Sequence, residues 1–557
     1  MKEEFNEKDL SMKFARVSIV ACVALMAGLA FGERRPKALM LFFDGCRADA
    51  MFRNADCPAL RSLKDGTWAE GYRCAWSDAG QNIFDAPTLS YPNHASLLTG
   101  VTAAKHRILN NDDSVDVRTP ARTWLSRLVE ERKDLRVKAF YSDLNDGTGR
   151  IETDGRVPMF CAREKTWRAC DAKTAEEAIA ALTAEDAPDV LTFFTQDPDC
   201  TGHYLGYYPT SDAYLEAVRL CDSYVGRILD AIRSRKTFAD EDWMITFTAD
   251  HGGRGLGHGP DDGNCHTIPI LVAGRHVAQG RLRGCPRIHD LPVTLLAHFG
   301  LKPDGLDGRV IGGDVLAAIA KPDEGLLFHG TCDTPVANFI EGRTDRFAFS
   351  AFGYEGGLKL MDGYLRIDPQ EGLMGLRVEQ TASVFKRPDF TVAFWMRADG
   401  VMPKERPIVF SNRNFQDLTN RGFSNKTEYP GFTIFFDTLM GDRMRGLALE
   451  VTGKDAKTVR RLGALSLERD KWTFYALSVR PDGVTTLCQG RSDGRFNWMA
   501  ADLADATWAS GLALTFGQDS SGLYPTAKPF DIDDVRVWSR GLTTDELDVV
   551  YKRGRSE

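Results

Sequence analysis

Three unbroken apolar runs, each stopping at an acidic residue, limit what this chain can fold into more than any other feature. Lys37 to Phe43 reads Lys-Ala-Leu-Met-Leu-Phe-Phe and ends at Asp44-Gly45. Asp189 to Thr195 runs into Gln196-Asp197-Pro198-Asp199, and Trp243 to Thr248 ends at Ala249-Asp250-His251-Gly252. Ile268 to Val272 reads as a fourth run. A strand with one wet face alternates apolar and polar side chains, whereas an unbroken run is covered on both faces. The expectation is an α/β region with a mostly parallel sheet covered by helices. The helical periodicity from Leu215 to Ile232, between the second and third runs, fits a crossover helix.

Beyond Leu326 the pattern changes. Phe390 to Met396, Gly431 to Asp437, Trp472 to Val479, Val484 to Gly490 and Phe530 to Trp538 are short runs rich in β-branched and aromatic residues. Gly, Asp and Asn turns separate them, and a helical pattern returns only at Thr543 to Lys552. Such spacing predicts an all-β, two-sheet jelly-roll sandwich. The expected division is residues 33–325 and residues 326–557. With 43% hydrophobic and 27% charged residues among 557, the chain has enough apolar material for two cores. Its net charge is 70 − 78 = −8 without long single-sign runs, so binding of duplex nucleic acid through phosphate neutralisation is not expected.

The amino terminus bears on the compartment. Lys13 and Arg16 precede an apolar run from Val17 to Phe31, which exits through Ala30 and Gly32 to Glu33-Arg34-Arg35. A positive flank, a short apolar run and small residues at the exit form the pattern of a secretory signal peptide, expected over residues 1–32. A secreted or periplasmic protein follows, with no transmembrane span after signal removal. Twelve cysteines occur, and Cys22 would leave with the signal. In an oxidising compartment Cys161 with Cys170, Cys57 with Cys74, and Cys265 with Cys285 are candidate disulfide pairs, and spacing does not fix the pairing.

Acids at the carboxyl ends of neighbouring parallel strands should converge, because ligands of open α/β sheets bind beyond those ends. The set is Asp44, then Asp199 and His203 in Asp-Pro-Asp-Cys-Thr-Gly-His, then Asp250-His251 with His258 seven residues on. Singly, each is ordinary turn or surface sequence. Jointly, three carboxylates and three imidazoles suit zinc, or manganese in a more oxygen-rich site, and suffice for two ions if a nucleophile is shared. Ser90, in Pro-Thr-Leu-Ser-Tyr-Pro-Asn-His ahead of a helical pattern, is the nucleophile candidate. It also reads as a plain helix cap. A helix start favours an anion, so the two roles are compatible.

These motifs resemble the alkaline phosphatase superfamily, especially its type I phosphodiesterase and nucleotide pyrophosphatase branch. The resemblance runs from Phe42 to Ala50, through Pro87 to Gly100, to Ile288 to Leu301, about half the chain. It implies one zinc on Asp44, Ser90, Asp250 and His251, and another on Asp199, His203 and His258. It further implies that Asn111, with Asn110 as the neighbouring alternative, binds a phosphate oxygen. The implied activity is hydrolysis of phosphate esters, nucleotide or glycan-linked, through a phosphoseryl intermediate. This sequence departs from the branch in having Ser90 where threonine is usual. His266 rivals His258 as the third histidine of its set.

A sulfatase is the alternative enzyme, but Ser90-x-Pro92 is followed by His94 and not by the arginine that formylglycine formation needs. Phe390 to Gly400 and Phe530 to Tyr551 resemble laminin-G-like, concanavalin A-like sandwiches. That resemblance implies a carbohydrate partner or a purely structural appendage, and an adhesion protein with a degenerate enzyme region is the reading from another class. Trp395 and Trp538 alternate as core residues should. Asp437 and Asp533 are candidate Ca2+ ligands in the sandwich.

Overall fold

The computed structural model describes residues 34–112, 119–142, 147–151, 155–317, 321–332, 347, 349–353, 356–372, 374–399, 408–413, 430–437, 446–455, 458–520, 526 and 528–555. The expected signal peptide lies outside the described residues. Among them no helix is long and apolar enough to cross a membrane.

The first region holds eight strands: β1 Arg35–Phe43, β2 Arg73–Gln81, β3 Val137–Tyr141, β4 Met159–Cys161, β5 Val190–Thr195, β6 Glu241–Ala249, β7 Thr267–Gly274 and β8 Gly280–Arg281. They form one sheet in the order β4-β3-β5-β1-β6-β7-β2-β8. Strands β4, β3, β5, β1 and β6 run parallel to one another, while β7 is antiparallel to both β6 and β2. The fourth apolar run is therefore a strand, but it runs against β6. Side chains 38–43 of β1 are fully buried, as its unbroken apolar run requires. Helix α1, Ser90–Thr99, follows β2, and α2, Gly147–Ile151, follows β3. Helix α3, Trp167–Thr183, leads into β5, α4, Asp197–Leu205, leaves it, and α5, Asp212–Arg233, crosses to β6. Register places the site: Phe43 pairs with Thr195 on one side and with Ala249 on the other. The next residues, Asp44, Gln196 and Asp250, therefore emerge together at one sheet edge.

The second region is two antiparallel sheets face to face. One centres on Phe390–Arg397 between Thr473–Val479 and Phe530–Trp538. The other centres on Phe432–Asp437 between Ile408–Ser411 and Gly446–Gly453. Leu326–Gly330 already pairs with Phe530–Trp538, so the chain enters the sandwich there. Trp538 is 1% exposed and Trp395 8%, which makes both core residues.

The two regions are hydrogen-bonded to one another through the strand Phe496–Asp502. The Ala500 amide donates to Thr267 Oγ1 at 2.9 Å, and its carbonyl accepts from Gln81 Nε2 at 3.1 Å. Trp498 Nε1 donates to the Asp78 carbonyl at 3.0 Å, and its amide donates to Asp49 Oδ2 at 3.3 Å. Asp49 is itself paired with Arg47 at 2.8 Å, so the sandwich braces the turn that follows Asp44.

The disulfide expectation is corrected. No disulfide forms among the described cysteines, Cys161 and Cys170 included, and Cys57, Cys74, Cys265 and Cys285 are free thiols. Burial pushes the Cys74 and Cys265 thiols up to about 12. The candidate Ca2+ ligands do not gather either. Asp533 is paired with Arg555 at 2.6 Å, and neither it nor Asp437 joins a metal-donor cluster among the described residues.

Candidate metal centre

Each site residue is delivered by a strand end or by the first turn of a helix. Asp44 follows β1, and Gly45 makes the turn at φ +65°. A Cβ there would stand 2.7 Å from the Asp199 Cα, so glycine permits the close approach of the two segments. Pro198 opens α4, which carries Asp199 and His203 four residues apart on one face. Asp250 and His251 follow β6, and the turn after them returns as His258. Ser90 opens α1, but it is not the cap. Leu89 is the cap residue and no side chain caps the helix, which corrects the plain-cap reading. The Ser90 hydroxyl turns instead to Asp44 Oδ1 at 3.5 Å and His251 Nε2 at 3.3 Å.

Two donor groups result. In one, His203 Nε2 is 3.1 Å from His258 Nε2 and 3.5 Å from Asp199 Oδ2, and His258 Nε2 is 3.6 Å from Asp199 Oδ1. In the other, His251 Nε2 is 3.2 Å from Asp250 Oδ2 and 3.3 Å from Asp44 Oδ1. His251 Nε2 is also 3.9 Å from Asp199 Oδ1, so the groups adjoin. The cavity they face is about 160 Å³ and is lined by Ser90, Tyr91, Asn111, Gln196 and Cys200 as well.

The hydrogen bonds decide which nitrogens can bind a cation. His203 Nδ1 donates to the Leu256 carbonyl at 3.0 Å, His258 Nδ1 to that of Thr88 at 2.7 Å, and His251 Nδ1 to that of Gly252 at 2.7 Å. A carbonyl only accepts, so each Nδ1 carries a proton, and Nε2 is the nitrogen left to face a cation. The Nε2 atoms of His203 and His258 face each other at 3.1 Å, close enough to share a proton or a cation. Zinc-type ions hold nitrogen and oxygen donors at about 2.0–2.2 Å, so donors sharing a tetrahedral ion stand roughly 3.3–3.5 Å apart. The separations here, 3.1 to 3.6 Å, fit that edge, and the residues fit a divalent cation in each group.

Electrostatics agree. Burial acts to raise the Asp250 carboxyl, yet His251 and His94 hold it well below the usual carboxylate range. Burial, reinforced by His251, pushes the His258 imidazole down to about 4, so it stays neutral and able to ligate. His266 is elsewhere: its ring bonds Asn82, and its Nε2 lies 3.0 Å from Asp261 Oδ1. Asn111 Oδ1 accepts the Tyr91 amide at 3.2 Å at the cavity wall, whereas Asn110 is exposed and accepts the Asp112 amide at 2.8 Å.

Sequence reasoning missed two members. Tyr207 donates its hydroxyl to the Asp199 carboxylate. His94 is fully buried with Nε2 3.1 Å from Asp250 Oδ2. Its position four residues after Ser90, on the same face of a helix, was the available signal.

Comparisons with known proteins agree with this geometry. Residues 38–258 match the family model described as type I phosphodiesterase / nucleotide pyrophosphatase. Residues 375–548 match the one described as concanavalin A-like lectin/glucanases superfamily. The chain is 24% identical over 235 residues to ectonucleotide pyrophosphatase/phosphodiesterase family member 1 of Mus musculus, covering 39% of this chain and 24% of that protein. It is 28% identical over 264 residues to family member 7 of Homo sapiens, covering 42% and 53%. The murine family member 5 structure, in complex with AMP, aligns at 15% identity with a TM-score of 0.40, covering 49% of this chain and 97% of that one. The matched part spans about a quarter of the length of the family member 1 proteins of mouse and rat. Over residues 38–258 the chain is thus of the type I phosphodiesterase / nucleotide pyrophosphatase kind, and over residues 375–548 of the concanavalin A-like kind.

Proposed function

We propose that this chain is a metal-dependent hydrolase of phosphoric esters, acting on diesters or nucleotide pyrophosphates outside the cytoplasm. The carrying observation is Ser90 Oγ between Asp44 Oδ1 and His251 Nε2, at the start of a ten-residue helix and beside the second donor group. The names of the curated relatives support the substrate class, and the signal-like amino terminus supports export. We place the boundary between hydrolase and sandwich at 325/326.

Asp44, Ser90, Asp250 and His251 would hold one ion, and Asp199, His203 and His258 the other, with zinc favoured by the mixed nitrogen and oxygen donors. When bound, the ions supply positive charge that eases loss of the serine proton and offsets charge on the departing oxygen. Ser90 Oγ forms its bond to phosphorus as the bond from phosphorus to the leaving oxygen breaks, giving a phosphoseryl chain. The amide near Ser90 and the Asn111 carboxamide would hold the nonbridging oxygens. Water then breaks the serine–phosphorus link and restores the hydroxyl.

The test is a zinc-loaded comparison of bis-p-nitrophenyl phosphate, p-nitrophenyl phosphate and p-nitrophenyl sulfate. Preference for the diester is expected. Preference for the sulfate would overturn the reading, and so would full activity in Ser90→Ala.

A further inference from the structure

We propose that His94 is a positioning residue that pins the carboxylates of Asp44 and Asp250 in their ligating orientation, an inference that rests on the two-cation reading above. Its ring is fully buried, edge-on to Phe42 at 5.3 Å and to Phe194 at 5.0 Å between centroids. Those phenylalanines come from β1 and β5, so the sheet itself walls the imidazole in. His94 Nδ1 lies 2.9 Å from Thr148 Oγ1. His94 Nε2 lies 3.1 Å from Asp250 Oδ2 and 3.6 Å from Asp44 Oδ2.

The other oxygens of these carboxylates are already engaged. Asp44 Oδ1 faces Ser90 and His251, and Asp250 Oδ1 accepts the amides of Gly45 at 3.0 Å and His251 at 2.8 Å. His94 therefore addresses Oδ2 of each acid, sharing Asp250 Oδ2 with His251 Nε2 at 3.2 Å. Its Nε2 forms no aligned bond to Asp250 Oδ2, as expected of one N–H directed between two acceptors. A bare lone pair in that place would repel both carboxylates, and the ion there already has four donors, the usual number for zinc. The proton is therefore on Nε2, and Thr148 donates its hydroxyl to Nδ1. Thr148 fixes the tautomer and His94 fixes the two acids, a supporting layer of the kind that usually sets ligand orientation.

Zinc affinity of the full chain, by competition with a chromogenic chelator, tests this without reference to turnover. His94→Leu should weaken one of the two ions by about 10–100-fold and leave the other within roughly twofold. His94→Gln, which keeps an N–H, should recover most of that loss, and Thr148→Val should weaken the same ion by less. Unchanged affinities in a folded His94→Leu, or equal weakening of both ions, overturn the inference alone. If His94→Leu does not fold, Thr148→Val decides by the same criterion. A wild-type chain that takes up no ion overturns this inference together with the reading beneath it.

Discussion

In the α/β region the ionic partners described for Asp44, Asp199 and Asp250 are histidines, at 3.1 to 3.9 Å. In the sandwich, Asp531, Asp533 and Asp534 meet Arg397, Arg555 and Arg536 at 2.7, 2.6 and 2.8 Å. Both regions bury carboxylates, and a buried carboxylate needs compensating charge. Arginine supplies it within the chain and closes the matter. Histidines bring no fixed charge and can turn a ring nitrogen toward a cation, so the acids at the sheet edge remain complementary to a cation from outside. The contrast shows why acidic residues alone say little about metal binding and why the identity of their neighbours says much.

The largest expected effect that separates the regions is on turnover. Ser90→Ala should lower phosphodiester hydrolysis by roughly 10³-fold or more while keeping most bound zinc, read by elemental analysis beside the assay. Asp250→Asn should lower rate and zinc content together, and unchanged stoichiometry would contradict its place in the donor set. Asp534→Ala, by contrast, strands Arg536 and should cost about 3–5 kcal/mol in denaturant unfolding with zinc content untouched. Trp498→Ala, at the junction of the two regions, removes the buried indole and its bond to the Asp78 carbonyl and should cost about 3 kcal/mol.

The smallest effect is on pH. His258 titrates near 4 in the fold and near 6.5 when unfolded, so between these values the unfolded chain binds the extra proton. The metal-free protein should therefore lose stability as pH falls from about 6.5 to about 4, with no further loss from this group below. His258→Gln should flatten that slope in unfolding titrations, and an unaltered slope would contradict it.

Much of this site was legible because strand burial and strand ends leave strong local signals. The runs before Asp44, Asp197 and Asp250 could only be buried strands, and parallel register then brings their ends together. The resemblance implies His258 with His266 as its rival, and the geometry brings His258 to His203 while His266 turns to Asn82. His94 left one local signal, its place four residues after Ser90, but its role depends on Thr148, 54 residues away, across a helix packing that no local pattern announces. The junction was hidden for the same reason: Gln81 meets Ala500 across 419 positions. The disulfide expectation failed because cysteine count reports compartment, whereas nine of the eleven described cysteines are packed as buried side chains.

The most direct test is anomalous diffraction at the zinc edge from crystals of the zinc-loaded chain. Two peaks are predicted, one bonded by Asp44, Ser90, Asp250 and His251 and the other by Asp199, His203 and His258. Peaks elsewhere, or none at the ends of β1, β5 and β6, would contradict the account.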